Sequence, residues 1–110
     1  MAWALRPPPD PVVITDPVPP RFRDARPLPA IATQRVQRQV NQQASEIGAR
    51  CGRNAVVEAE VLVETDGRIA YARVEPTAKV DVDCVERALM RIRLRNGPQT
   101  EGTAHVTLRL

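Results

Sequence analysis

Residues 55–75, AVVEAEVLVETDGRIAYARVE, carry the alternating pattern of a β-hairpin, and the other predicted elements are placed around it. The turn signal Thr65-Asp66-Gly67 separates two runs, residues 55–64 and residues 68–75. The alternation falters near Tyr71 and Ala72, which predicts a β-bulge in the second strand. One face of the first strand is apolar and the other is rich in glutamate, as expected when a core covers only one side. The apolar face comprises Val57, Ala59, Val61 and Val63, and the outward face carries Glu58, Glu60 and Glu64.

Helical periodicity is found on both sides of this hairpin. Apolar residues three and four positions apart predict a first helix over about 33–50, with Gly48 or Gly52 as its stop. The stretch Asp83-Cys84-Val85-Glu86 is typical of an N-cap followed by a reaching glutamate, and predicts the start of a second helix. That helix is expected to close with arginines and to end at Asn96-Gly97-Pro98.

A third strand is predicted at residues 103–110, where TAHVTLRL alternates again. The order α-β-β-α-β predicts an α+β domain with a three-stranded antiparallel sheet and two helices on one face. The third strand pairs beside the first in this arrangement, so the first strand is central. Both outer strands then have an open edge, which is a template for another chain.

Proline content divides the chain. Nine of its 11 prolines lie in residues 1–30, which contain no glycine. Such a composition favours polyproline II and cannot pack a core. We therefore interpret residues 1–30 as a disordered, extended proline-rich arm and residues 31–110 as the folded domain.

Charge and composition disfavour several classes of function. The net charge is +3 and the pI is about 9.5, but acids and bases are interleaved and aromatics make up only 3% of residues. Nucleic-acid binding is disfavoured because single-strand binders need aromatic stacking platforms. His105 is the only histidine, and no phosphate loop or cluster of metal ligands is evident. We expect no catalysis, no cofactor, no metal site and no membrane-spanning helix.

The cysteines are Cys51 and Cys84. Their spacing fits neither a metal motif nor a CxxC redox pair. An even count in a small domain is compatible with one disulfide that closes a loop of about 34 residues. Two buried thiols in a reducing compartment are the alternative.

From about Val36 to Leu110 the chain resembles the C-terminal periplasmic domains of the TonB and TolA family. The resemblance rests on the valine-rich strand, the segments Asp66-Gly67-Arg68-Ile69 and Ala72-Arg73-Val74, and the Cys-led helix 83–89. The pattern is similar to that of the two-cysteine subgroup, which implies a disulfide between Cys51 and Cys84. Leu94 stands where the family usually has an aromatic residue, and the last strand ends in Arg109-Leu110 instead of a proline and an aromatic.

This resemblance implies a periplasmic protein-protein interaction module of an envelope-spanning, energy-transducing system, with roles that include protein transport. Its partners would be other envelope proteins, such as an outer-membrane receptor or assembly subunits, and a homo-oligomer is compatible with it. Binding would occur by β-strand addition at a sheet edge. The anchor expected of the family, or an export signal, is not found in this chain. The residues that we expect to form the binding edge are Thr103, His105, Thr107 and Arg109.

Two further hypotheses remain open from the sequence. The chain could be a structural subunit of a cell-envelope complex, with its proline-rich arm wrapped around a neighbouring subunit. The chain could also be a basic nucleic-acid-binding module. A basic patch is present, and its residues could complement the helix dipole or contact an acidic partner, lipid headgroups or peptidoglycan. That patch comprises Arg87, Arg91, Arg93 and Arg95.

Overall fold

A computed structural model of the chain describes residues 20–110. The helices are α1 (Pro20–Asp24), α2 (Ala30–Cys51) and α3 (Val82–Met90), and the strands are β1 (Val56–Val63), β2 (Ile69–Val74) and β3 (Gly102–Arg109). The strands form one antiparallel sheet in the order β2-β1-β3. The predicted α+β class, the order α-β-β-α-β and the central position of the first strand are confirmed. Within residues 20–110, none of the helices has the length and apolar character needed to cross a membrane.

The main core lies between one face of the sheet and the helices α2 and α3. Its members are almost all aliphatic, as the scarcity of aromatics requires, and each buried side chain of this size contributes about 1.5–3 kcal/mol. Val61 at the centre of the sheet is fully buried. Other core residues with at most 2% exposure are Val36, Val40, Val57, Ala59, Val63, Ile69, Val85, Leu89, Leu94, Val106 and Leu108.

The β1–β2 pairing contains an irregularity close to the predicted bulge. Leu62 lies opposite Tyr71, whereas the next residue, Val63, lies opposite Ile69. Ala70 is therefore the extra residue on β2. The bulge falls one residue before the position at which the sequence alternation falters.

The start of α3 differs from the sequence prediction. Its N-cap is Asp81 and not Asp83, because the helix begins at Val82 and the Asp81 carboxylate accepts the Cys84 N–H at 3.1 Å. Glu86, expected to reach back to the cap, instead accepts the Val74 N–H of β2 at 2.9 Å.

The end of α3 also differs. The helix stops at Met90, with Arg91 as its C-cap, so Arg91, Arg93 and Arg95 do not form its last turn. The chain beyond becomes extended because it pairs with the hairpin turn. Leu94 N–H donates to the Gly67 carbonyl at 2.8 Å, and this segment forms an antiparallel bridge with Arg68.

Residues 20–29, which the sequence placed in the arm, are packed onto the domain. Phe22 in α1 is only 8% exposed and its ring lies 4.8 Å from that of Tyr71, centroid to centroid. Leu28 is also 8% exposed and belongs to the main core. The prediction failed here because burial of Phe22 depends on a residue far along the chain. The rest of the predicted arm, residues 1–19, lies outside the described residues.

The edge of β3 as the candidate functional site

Four residues of β3 direct their backbone groups away from β1. Alternate residues of an antiparallel strand point their N–H and C=O to the same side. Thr103 and Thr107 both bond to groups on the side opposite β1. His105 and Arg109 share their direction by this alternation. The structure therefore brings the backbones of all four sequence-predicted edge residues to one edge.

The Thr103 end of this edge is occupied by the chain itself. Leu28 N–H donates to the Thr103 carbonyl at 2.8 Å, and Thr103 N–H donates to the Arg26 carbonyl at 2.9 Å. These bonds form a parallel bridge centred on Pro27. The bridge uses the groups of Arg26 and Leu28 and not the Pro27 nitrogen, so the missing N–H of this proline costs no hydrogen bond at the edge.

Thr107 is also bonded, but to a side chain. The Gln37 amide nitrogen donates to the Thr107 carbonyl at 2.8 Å, and its oxygen accepts the Thr107 N–H at 2.8 Å. The same nitrogen donates to the Asn41 Oδ1 at 2.7 Å, which orients the amide. Gln37 thus makes the pair of bonds that one residue of an adjoining strand would make.

The remaining outward groups of the edge are those of His105 and Arg109. Among residues 20–110, no group is hydrogen-bonded to their outward N–H and C=O. Next to Arg109, between β3 and α2, runs an open groove of about 420 Å³. Its lining is mostly polar with one small apolar residue: Gln37, Asn41, Ala44, Thr107 and Arg109. This edge can accept the backbone of an extended segment on either side of Thr107.

The side chains of these residues lie on the outer face of the sheet. His105 and Arg109 are exposed, Thr107 is half-buried and Thr103 is buried. The His105 Nε2 lies 3.7 Å from a Glu58 carboxylate oxygen across the sheet. Because both groups are largely exposed, this contact adds little stability.

The opposite edge, on β2, is covered at two points. Glu86 of α3 accepts the Val74 N–H, and the segment around Arg93 and Leu94 bonds at the hairpin turn. A carboxylate and a chain segment therefore shorten the free part of this edge. Of the two outer strands, β3 is the longer, with eight residues against six in β2.

The sulfur atoms of Cys51 and Cys84 are bonded, and their Cα atoms are 5.5 Å apart. Cys51 is the last residue of α2 and Cys84 lies in the first turn of α3. The disulfide that the family resemblance implies is thus confirmed. It fixes α2, which carries Gln37, relative to α3.

The four arginines of the predicted basic patch are not buried. Arg87 lies on α3, and the others follow its end. Arg95 N–H donates to the Gln39 side-chain oxygen at 2.9 Å. Arg91 and Arg93 line a groove of about 260 Å³ between α2 and the end of α3, whose lining includes Ile47. A contact of this patch with an acidic partner stays a prediction.

Residues 20–110 contain no group of three or more His, Cys, Asp or Glu side chains that could hold a metal ion. No buried polar side-chain atom in this part of the chain lacks a hydrogen-bond partner.

Comparisons with protein-family models, curated proteins and solved structures found no significant match to this chain.

Gln37 and residues 26–28 belong to this site, although no local sequence pattern predicted them. Gln37 lies among several similar polar residues of α2, and nothing in the periodicity separates it from Gln34 or Gln42. The alternation of β3 predicted which backbones face outward. It carried no information about which of them are already bonded.

Proposed function

We propose that this chain is a protein-interaction module that binds an extended segment of a partner along the β3 edge, from His105 to Arg109. The observation that carries the proposal is the Gln37–Thr107 contact, in which a side-chain amide takes the place of a peptide group. A partner strand would displace this amide and would also hydrogen-bond to the outward N–H and C=O groups of His105 and Arg109. Strand addition of this kind obtains affinity from backbone bonds and specificity from alternate side chains.

The proposed setting is the periplasm, in a TonB- or TolA-like envelope-spanning system. Two features support this setting. The Cys51–Cys84 disulfide suits an oxidising compartment, and the α-β-β-α-β order agrees with the family that the sequence resembles. The partner would be an outer-membrane receptor or an assembly subunit, and energy transduction would be the purpose of the contact.

A selection experiment can test the proposed site before any natural partner is identified. Random peptides long enough to span β3 are displayed and selected on the full-length, oxidised protein. Amide hydrogen exchange then locates the binding site of each selected peptide. We expect slower exchange at His105 and Arg109 in the complex, because their N–H groups gain acceptors. Peptides that protect only other regions would contradict the proposal.

A matched pair of variants separates backbone from side-chain recognition. His105→Pro removes the outward N–H, whereas His105→Ala keeps it and removes only the imidazole. A proline is compatible with an edge strand at a position where the N–H that it replaces faces outward. We expect the proline variant to lose at least about tenfold in peptide affinity, equal to about 1.4 kcal/mol, and the alanine variant to lose much less. Thermal unfolding of both variants checks that the domain remains folded.

A further inference from the structure

We infer that residues 20–28, named here the N-terminal latch, regulate the β3 edge by competing with the partner for its Thr103 end. This inference rests on the proposed function, because it concerns the same edge. The latch comprises α1 and the segment that bridges to β3. It places a piece of the chain's own backbone where a partner strand would continue beyond His105.

The competition follows from hydrogen-bond geometry. The Thr103 carbonyl and N–H are both engaged by the latch, through Leu28 and Arg26. A Cβ built on Gly102 would lie 2.7 Å from the Arg26 carbonyl oxygen, so the latch lies directly against the backbone of β3. A partner strand that extends to Thr103 cannot occupy the same space. Either the latch or the partner holds this end of the edge.

The contacts that hold α1, the outer part of the latch, are few enough for this helix to detach and reattach. The five-residue helix is held by Phe22 against Tyr71 and by Arg21, which contacts Glu64 at 3.6 Å and Glu101. Arg21 is 60% exposed, so these ion pairs are screened by solvent. Helix α1, with one aromatic contact and exposed ion pairs, belongs to the part of a protein that opens locally, whereas full release of the Thr103 end also requires Leu28 to leave the main core.

Closure of the latch lowers the apparent affinity of the edge. If the Thr103 end is free in one molecule in ten, a partner that needs it binds about tenfold more weakly than to an open edge. By thermodynamic linkage, binding of the partner must shift the latch toward its open state by the same factor. The latch is therefore an autoinhibitory contact built into the folded domain.

The test uses full-length protein and, as the probe, a selected peptide that protects the His105 amide and is long enough for its paired strand to reach Thr103. Phe22→Ala removes the contact of the latch with Tyr71, and Arg21→Ala removes its ion pairs. Arg23→Ala is the matched control, because Arg23 is exposed on the same helix and makes no ion pair within residues 20–110. We expect Phe22→Ala to raise the peptide's affinity about fivefold to tenfold, Arg21→Ala to raise it by a smaller factor, and the control to leave it unchanged.

A second measurement needs no variant. In the wild-type protein, the Leu28 amide is protected by its bond to Thr103, and peptide binding is expected to accelerate its hydrogen exchange. Unchanged affinity in a folded Phe22→Ala protein, together with a Leu28 amide that stays protected in the complex, would overturn the latch while leaving the edge site intact. A selection that yields no peptide protecting His105 in any variant would overturn both.

Discussion

Gln37 and Thr107, which are 70 residues apart in the sequence, are joined by two hydrogen bonds of 2.8 Å. One is donated by the glutamine amide and the other by the threonine backbone. Through this pair, α2 satisfies an edge residue of β3 without adding a strand. The contact covers a backbone position that would otherwise be open to association with another chain.

Replacing Gln37 by alanine is expected to expose this position. The backbone groups of Thr107 then bond only to water, and we expect a loss of about 1 kcal/mol in the free energy of unfolding. Hydrogen exchange at the Thr107 amide should accelerate. Gln42→Ala, on an exposed position of α2, is the control and should change stability by less than about 0.5 kcal/mol. A Thr107 amide that stays protected in Gln37→Ala would contradict this contact.

The start of α3 can be tested with two neighbouring aspartates. Asp81→Ala removes the acceptor of the Cys84 N–H and should cost about 1 kcal/mol. Asp83→Ala removes only a favourable charge in the first turn, which is worth about 0.3–1 kcal/mol. Chemical denaturation of the two variants compares them directly. A larger loss for Asp83→Ala would mean that the helix begins where the sequence pattern predicted.

Loss of the disulfide should destabilise the domain as a whole. The link spans a sequence separation of 33 residues, and in the chain-entropy model its removal costs about 3–4 kcal/mol. We expect the Cys51→Ala/Cys84→Ala double variant to unfold at correspondingly lower denaturant concentration. A reductant should shift wild-type unfolding in the same direction and leave the double variant unaffected. Identical wild-type curves with and without reductant would argue against a stabilising disulfide.

Gly97 is expected to be intolerant of any side chain. A Cβ at this position would collide with the Thr65 carbonyl and lie 2.7 Å from the Gly67 nitrogen, and backbone atoms of a tight turn cannot easily move. We expect Gly97→Ala to cost at least about 2 kcal/mol. Gly48→Ala is the comparison, because its Cβ would lie 3.2 Å from the Leu110 Cβ and a helix gains about 1 kcal/mol from alanine over glycine. Equal melting temperatures for the two variants would contradict the packing of the 96–98 loop against the hairpin turn.

The sheet and the two larger helices could be predicted because their signals are local and repeat. Val57, Ala59, Val61 and Val63 alternate over a whole strand, and the buried apolar face of α2 recurs from Val36 to Cys51. The pairing of the third strand with the first follows from the short hairpin of β1 and β2 and from the helix α3 that connects β2 to β3. The disulfide needed the family resemblance in addition, since two cysteines alone also allow free thiols.

The contacts that shape the binding edge could not be predicted because each depends on a distant partner. A five-residue helix beginning at Pro20 is too short to show periodicity, and Phe22 is buried only because Tyr71 and the bulged strand lie beneath it. Asp81 and Asp83 are both plausible caps in sequence, and the choice depends on where the chain leaves β2. These non-local contacts decide how much of the β3 edge is free.

The most direct measurement of strand addition is the affinity of an edge-binding peptide that carries one backbone N-methyl group at each position in turn. A strand bonded to β3 directs every second N–H toward the domain. We therefore predict that methylation at alternate positions weakens binding at least about tenfold, while the intervening positions tolerate it. A series without this two-residue period would contradict the account, because recognition would then depend on side chains and not on the open backbone of β3.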